Sequence, residues 1–270
     1  MRVRHLTLLL VLVLTIGYAG TAIAAGVSPA LDRILAKKEL VVGTAGSMPP
    51  LNMTMKDGTI AGMEPDLARL LAGSLNVKLT LKPIPFPDLL AALESGQVDM
   101  VLSGMTITPE RNTRVAFAGP YFASGKSILT NIDSVAKTRS SDQINTPDTT
   151  LVALKNSTSQ LFVERLMPKA KLVLADSYDD AVAMVLDKKV QAMVADYPIC
   201  QVSAVRYRDK GLVTLQEPLS YEPIGVALPP NDPLLLNLVQ NVINSLERGG
   251  ELKMLADGWF SNGSWLKDLR

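Results

Sequence analysis

A helical pattern followed by a strand pattern occurs twice in this chain, and it constrains the fold more than any other feature. Residues 88–104 read DLLAALESGQVDMVLSG, and residues 180–196, at an offset of 92 positions, read DAVAMVLDKKVQAMVAD. In each stretch, apolar residues at helical spacing lead through a short polar turn into a mainly apolar run typical of a buried strand. The likeness is one of pattern more than of identity, and it predicts two similar α/β lobes.

The segments around the first stretch extend this alternation. KELVVGT (38–44) and VKLTLKPI (77–84) are predicted strands, and GMEPDLARLLAGSLN (62–76) between them is a predicted helix. Acidic residues and a proline near the start suit a helix N-terminus. The order β-α-β-α-β implies a mainly parallel sheet with helices on its faces.

The second half repeats the alternation and then returns to the first lobe. TLVALKNSTSQ (150–160) and AKLVLAD (170–176) begin with strands, whereas EPIGVALPP (222–230) is a late strand followed by two predicted helices. If these last elements complete the first sheet, the chain crosses between the lobes twice, near residues 124–128 and 219–224.

Residues 1–24 carry a short basic start, an apolar run and small residues, with Ala22 and Ala24 in an A-x-A arrangement. This order is typical of a cleaved secretory signal. The apolar run is short for a bilayer span, which disfavours the alternative of an uncleaved membrane anchor. We therefore expect a soluble, periplasmic product.

Removal of the signal changes the inventory of ionisable side chains. Arg2, Arg4 and His5 leave together, so the basic residues fall from 27 to 25 against 26 acidic ones, and the net charge changes from +1 to −1. Such a balance gives no sign of a nucleic-acid-binding surface.

A product without histidine cannot hold a Ser-His-Asp triad or a histidine metal site. Cys200, the single cysteine, cannot form an internal disulfide. Nothing in the sequence indicates a metal or an organic cofactor.

Polar side chains follow the predicted strands at their carboxyl ends, where open parallel sheets bind ligands. In SGMTITPER, Arg111 can form a bidentate pair with a carboxylate, and Thr106 adds a hydroxyl and a backbone N–H. Asp196 ends a strongly apolar strand and can pair with an ammonium group. A carboxylate receptor on one lobe and an ammonium receptor on the other predict a free α-amino acid in a cleft between the lobes.

Each of these residues also has a simpler interpretation. Arg111 alone suits a helix surface, and Asp196 alone suits a turn or a cap. Lys155 alone suits a solvated strand end, and Phe86 alone suits the core. KNSTSQ (155–160) is compatible with a helix N-cap, although the free N–H groups of such a cap also attract an anion. Their common position on one predicted edge favours a binding site.

The sequence resembles the polar amino-acid-binding proteins of bacterial ABC importers, a branch of the periplasmic solute-binding proteins. The matching segments include FPDLLAALESGQVDMVLSGMTITPERNTRVAFAGPYFASG, VALKNSTSQ and NVINSLERGGELKMLADGWF, within residues 38–267. The resemblance implies a two-lobed fold of the type II periplasmic binding class that closes on its ligand about a two-strand hinge. Lobe 1 would comprise residues 38–124 and 224–270, and lobe 2 residues 125–223.

The resemblance also implies roles for individual residues. From lobe 1, the implied ligand contacts are Ser103, Gly104, Thr106 and Arg111, with Phe86 packed on the ligand side chain. From lobe 2, they are Thr158 and Ser159 at the carboxylate, Asp196 at the ammonium and Lys155 near the tip of the side chain.

Two departures from the family pattern bear on the ligand. Met48 stands where an aromatic residue is common, so one wall opposite Phe86 is softer. Ala45 stands where members that bind cationic side chains often carry an acid, which disfavours arginine, lysine and histidine. Lys155 also favours an amide or acidic side chain, so the expected ligand is glutamine- or glutamate-like.

Three functions compete at this point. The leading one is a monomeric binding protein that delivers its amino acid to a membrane-embedded ABC permease. The second is a periplasmic cyclohexadienyl dehydratase acting on prephenate or arogenate, which needs a general acid such as Asp196 or Glu222. An acid that faces an ammonium group tends to stay ionised, which disfavours this role. The third is a sensor module that acts through a separate partner.

Overall fold

Two five-stranded sheets organise the computed structural model, which describes residues 28–137 and 140–270. The predicted signal segment, residues 1–24, lies outside the described residues. Within them the strands are β1 (Glu39–Thr44), β2 (Ser47–Met48), β3 (Asn52–Thr54), β4 (Ile60–Ala61), β5 (Lys78–Pro83), β6 (Met100–Val101), β7 (Ala116–Ser124), β8 (Lys126–Thr130), β9 (Thr150–Leu154), β10 (Lys171–Ala175), β11 (Ala192–Asp196), β12 (Val213–Thr214) and β13 (Glu222–Leu228).

Helices cover the faces of both sheets. In the described ranges they are α1 (Pro29–Lys37), α2 (Met63–Ser74), α3 (Leu89–Glu94), α4 (Pro109–Asn112), α5 (Asp133–Ala136), α6 (Thr158–Leu166), α7 (Tyr178–Leu186), α8 (Tyr197–Arg206), α9 (Pro233–Gly249) and α10 (Glu251–Phe260). None of the helices in this part of the chain is both long and apolar enough to cross a bilayer.

The two sheets share one topology. The first has the order β5-β1-β6-β13-β7 and the second the order β10-β9-β11-β8-β12. In each sheet the first three strands of this order are parallel to one another. The fourth strand, β13 or β8, is antiparallel to both of its neighbours. In each sheet the antiparallel strand is the one that enters from the other sheet. The prediction of an α/β fold with two similar, mainly parallel lobes is therefore confirmed.

The chain passes from the first sheet to the second between β7 and β8 and returns between β12 and β13. The two passages lie side by side. Lys126 N donates to Ser220 Oγ at 2.9 Å, and Leu219 N donates to Lys126 O at 2.7 Å. A Cβ atom on Gly125 would lie 1.9 Å from Ser220 O, so this close approach requires glycine. Two adjacent connecting strands are the geometry that a hinge between lobes needs.

Local patterns explain most elements but not every buried face. The apolar stripe of the α2 helix buries Leu67 and Leu71, whereas Leu70 is 40% exposed. Glu64, which the sequence places at the helix start, is fully buried. The run 97–104 forms a strand only at Met100–Val101, and the chain bends at Ser103 and Gly104. That early turn brings the segment SGMT to the cleft between the lobes.

Candidate functional site

Arg111 lies on the short helix α4 and reaches across to the second lobe. Thr108 caps this helix, since its side-chain oxygen accepts from Arg111 N at 3.1 Å. The guanidinium donates from Nη1 to Thr106 O at 3.0 Å and from Nη2 to Asn156 O at 3.3 Å. Its Cζ lies 5.8 Å from the centroid of the Phe86 ring. The arginine predicted to bind a carboxylate is therefore held at the lobe interface.

The electrostatics of Arg111 show what it faces. Burial lowers the pKa of this guanidinium from its ordinary value, and the charges of Asp196 and Glu222 oppose that change. Arginine remains protonated in proteins under such conditions. A positive group thus faces two carboxylates from the lobe interface.

Three charged side chains meet at the hinge, and we call them the hinge charge cluster: Lys126, Asp196 and Glu222. The Lys126 ammonium lies 2.6 Å from Asp196 Oδ1 and 2.9 Å from Glu222 Oε2. The side chains are 0%, 6% and 12% exposed, respectively. Two carboxylates and one ammonium give this buried cluster a net charge of −1.

Hydroxyl groups from both lobes surround the cluster. Thr106 Oγ1 and Thr158 Oγ1 each donate to Glu222 Oε2 at 2.9 Å, and the two hydroxyl oxygens lie 3.3 Å apart. The Tyr178 hydroxyl donates to Asp196 Oδ2 at 3.3 Å. Burial, and next the charge of Asp196, raises the pKa of Tyr178 well above its usual value, so this hydroxyl keeps its proton. The structure therefore brings Thr106, Thr158 and Asp196 together around Lys126 and Glu222.

The start of the α6 helix adds an anion-compatible surface. Ser157 is the N-cap and accepts from Gln160 N at 3.2 Å, so the simple capping interpretation holds for this residue. Ser159 is fully buried, and its hydroxyl has no hydrogen-bond partner among the described residues. An unpartnered buried hydroxyl is costly unless a ligand satisfies it.

Glu64 fixes the polypeptide at Gly104. Its Oε1 accepts from Gly104 N at 2.6 Å and from the Tyr121 hydroxyl, and its Oε2 accepts from Asn52 Nδ2 at 2.6 Å. Gly104 has φ +62°, a left-handed conformation that favours glycine, and a Cβ there would displace the Met48 side chain, whose sulfur would lie 2.4 Å away. A buried carboxylate thus positions the segment that carries Thr106.

Replacing Glu64 by glutamine is expected to flatten the pH dependence of stability. Burial raises the pKa of Glu64 above 4.5, although its three hydrogen bonds act against this. A raised pKa means that the folded state binds the proton more tightly than the unfolded state. Proton binding by Glu64 therefore adds its whole contribution to the free energy of unfolding below about pH 4.5. This contribution is lost as the pH rises through the folded-state pKa.

The measurement is urea unfolding of both proteins between pH 4 and pH 8. The unfolding free energy of the wild type minus that of Glu64→Gln should fall with rising pH, by up to about 1.4 kcal/mol per unit inside the window. Parallel curves for the two proteins would contradict the raised pKa.

The remaining predicted site residues fall into two groups. Met48 and Phe86 are buried in the main apolar cluster, and the hydroxyl of Ser103 accepts from Ala45 N at 2.9 Å, joining the ends of β1 and β6. Lys155 differs, because its side chain is 52% exposed and its ammonium lies 3.9 Å from Asp176 Oδ1. The structure places this lysine at the surface, in line with its simpler interpretation.

A cavity of about 380 Å³ lies between the lobes and meets the site at Tyr178, which bonds to Asp196, whereas Arg111, Ser159 and the hinge charge cluster do not line it. The first lobe lines it with residues that follow β1, including Ala45 and Ser47. The second lobe lines it with Tyr178, Ser203 and Arg206. No cluster of His, Cys, Asp and Glu suited to a metal ion occurs in the described ranges.

Sequence reasoning missed Lys126, Tyr178 and the role of Glu64 in positioning the segment at Gly104. Lys126 had a visible signal, because a lysine directly after Gly125 opens the short segment KSILT, which has no other charge. A charge at the edge of a buried strand requires a partner. Tyr178 and Glu64 had no comparable signal, because each occupies an ordinary first-turn position of a helix.

Comparison with known proteins agrees with this architecture. The sequence profile of the bacterial extracellular solute-binding proteins, family 3, matches residues 40–262. Cyclohexadienyl dehydratase from Pseudomonas aeruginosa is 26% identical over 229 residues, 85% of each chain. L-cystine-binding protein TcyJ from Escherichia coli (strain K12) is 28% identical over 233 residues, also 85% of each chain. The crystal structure of an ancestral amino-acid-binding protein, described as a precursor of cyclohexadienyl dehydratase, superposes with a TM-score of 0.77 at 33% identity and covers 85% of this chain and 99% of its own.

Proposed function

This chain belongs to the bacterial extracellular solute-binding proteins of family 3, and from that membership and the geometry of its cleft we propose that it captures a free L-amino acid and delivers it to an ABC permease. One observation carries the proposal. A positive group, Arg111, and a cluster of net charge −1 face each other where the lobes meet. Such a pair of receptors fits a zwitterion.

The carboxylate end of the ligand would be held by Arg111 together with Thr158 and Ser159. In this structure the guanidinium donates to main-chain oxygens, which are weaker acceptors than a carboxylate. The buried Ser159 hydroxyl lacks a partner among the described residues and can donate to a carboxylate oxygen. The N–H groups at the start of the α6 helix favour an anion at the same place.

The ammonium end would complete the hinge charge cluster. Asp196 and Glu222 share one internal cation, Lys126, so one negative charge is left over. A ligand ammonium supplies the missing positive charge, while its carboxylate balances Arg111. A ligand with a carboxylate but no ammonium would leave the buried site with an excess negative charge, which is costly at low dielectric.

The ligand side chain would be polar and uncharged or acidic, as in glutamine or glutamate. Phe86 and Met48 form apolar walls, and Ala45 provides no acid for a cationic tip. The adjoining cavity between the lobes has polar groups, among them Ser47 and Arg206. Lys155 gives no support here, because it pairs with Asp176 at the surface.

The expected result is that one or a few L-amino acids stabilise the purified mature protein in a thermal-shift panel of all twenty. A ligand at about 100 times its Kd adds roughly 2.7 kcal/mol, which raises Tm by about 5–10 °C in a chain of this size. Prephenate and arogenate belong in the same panel. No shift with any amino acid at millimolar concentration would rule the proposal out.

A dehydratase is the second candidate, favoured by the likeness to the Pseudomonas aeruginosa enzyme. The reaction needs a proton donor in the cleft. Glu222 is poorly placed for this, because its Oε2 already accepts from Thr106, Thr158 and Lys126. Turnover of prephenate or arogenate, followed by product absorbance, would establish the enzyme. Absence of turnover together with amino-acid binding would remove it.

A further inference from the structure

Residues 267–270, here called the strap, run along the edge of the small sheet β2-β3-β4. Leu269 forms an antiparallel bridge with Met55, Arg270 N donates to Thr54 O at 3.2 Å, and Lys56 N donates to Asp268 O at 2.9 Å. The Lys56 ammonium also bonds to Lys267 O. Leu269 is only 8% exposed. Main-chain pairing and burial therefore fix the strap to the first lobe.

An arginine of the second lobe bonds to the strap. Arg206, the last residue of the α8 helix, donates from Nη2 to the main-chain oxygen of Arg270 at 2.7 Å. Its Cζ lies 5.3 Å from the ring centroid of Tyr207, which orients the guanidinium. This hydrogen bond has a charged donor and joins the two lobes. Its donor is distant in sequence from Arg111, the arginine predicted to bind the carboxylate.

The strap also forms one wall of the cavity between the lobes. Leu269 and Arg270 line it together with Ser203, Arg206 and residues 45–47. A solute leaving the cleft on this side would have to pass between the strap and the α8 helix. Arg206 and Arg270, which bond to each other, both line the cavity on this side.

Packing around this contact is loose. A second cavity of about 580 Å³ lies between α8 and the segment before the strap, lined by Pro198, Val205, Trp259 and Trp265 among others. Val202 of the α8 helix lines both cavities, so α8 has open space on two sides near its contact with the strap. Permanent interiors are close-packed. A contact bordered by two cavities is one that can separate when the lobes move apart.

We propose that the strap and Arg206 form a latch that stabilises the closed arrangement of the lobes and slows escape of the ligand. This rests on the proposed function, because a latch has a role only in a protein that closes on its ligand. Closure stabilised by contacts outside the site shifts the population towards the binding-competent form.

The first test is the ligand release rate, measured by stopped flow with the amino acid that the panel identifies. Arg206→Gln should release it about threefold to tenfold faster, the range expected for one hydrogen bond. Arg206→Lys, which keeps a charged donor, should recover part of the loss. Arg208→Gln is the matched control, since Arg208 is exposed and makes no hydrogen bond to the strap in the described part of the chain. An unchanged rate for Arg206→Gln would overturn the latch.

The second test needs no ligand and separates the latch from direct contact with the solute. Spin labels on Ser74→Cys and Lys169→Cys, exposed residues on opposite lobes, report the distance between the lobes. Cys200 does not compete for the spin label, because it is buried and burial raises the pKa of its thiol far above the usual value. The closed population should be smaller in Arg206→Gln than in the wild type.

An equal closed population in both proteins would overturn the latch, even if the release rate changed. A silent amino-acid panel would instead overturn the proposed function, and the distances would still decide the latch on their own.

Discussion

Replacing Arg111 by alanine is expected to abolish amino-acid binding at ordinary ligand concentrations in a protein that stays folded. The ligand carboxylate would lose its charged partner in a buried site, at a cost of roughly 3–5 kcal/mol. That corresponds to an increase in Kd of about a hundredfold to a few thousandfold. In the described part of the chain the guanidinium donates to two main-chain oxygens and to no carboxylate, so its removal breaks no direct ion pair, although it takes one positive charge from the neighbourhood of Asp196 and Glu222.

Arg114→Ala is the matched control for this variant. Arg114 lies three residues further on, is 53% exposed and pairs with Glu94 at 2.7 Å. A surface pair of this kind contributes at most about 1 kcal/mol to stability, and no ligand group is expected near it. Isothermal titration calorimetry gives Kd for each variant, and circular dichroism verifies the fold. Unchanged binding by Arg111→Ala would show that the carboxylate lies elsewhere.

Replacing Lys126 by methionine should destabilise the whole protein. Its ammonium is fully buried and is the internal counter-ion of Asp196 and Glu222. Loss of one member of a buried ion pair costs roughly 3–5 kcal/mol, because the remaining charges are left without compensation. Urea unfolding, with m-values compared between variants, measures the change in the free energy of unfolding.

Two companions show whether the effect comes from charge. Lys155→Met removes a lysine that is 52% exposed and should change stability by less than about 1 kcal/mol. The double variant Lys126→Met/Glu222→Gln removes one negative charge as well and should recover part of the lost stability. A single variant as stable as the wild type would mean that the cluster does not hold the hinge.

The fold could be predicted from the sequence because its signals are local and repeated. Helix and strand patterns at residues 88–104 and 180–196 give two similar lobes, and the order of elements gives mainly parallel sheets. The antiparallel strands β8 and β13 could not be placed from pattern alone, because their neighbours are set by crossings between the lobes. The exact bounds of the lobes stay a prediction.

The site was only partly predictable, for a different reason. Asp196 ends β11 and Arg111 lies on the short helix α4 that comes after β6, at the sheet edges where the topology of a parallel sheet brings polar groups together. The partner of Asp196 is Lys126, which is 70 residues away and buried only through the hinge. Lys155 looked equivalent in sequence but faces solvent. Burial of a charge depends on contacts that periodicity does not encode.

The central claim is that the cleft recognises both ends of an amino-acid zwitterion. Arg111 and the hinge charge cluster supply opposite charges within one buried site, and neither end alone balances them. An analogue that lacks one charged end therefore tests the claim without any change to the protein.

The most direct measurement is calorimetric titration of the wild-type protein with the amino acid that the panel identifies, alongside its α-hydroxy acid, which replaces the ammonium by a hydroxyl. We expect one site with a Kd of about 1 μM or tighter for the amino acid, roughly −8 kcal/mol, and a loss of at least about a hundredfold for the α-hydroxy acid. Equal affinity for the two compounds would contradict the zwitterion site.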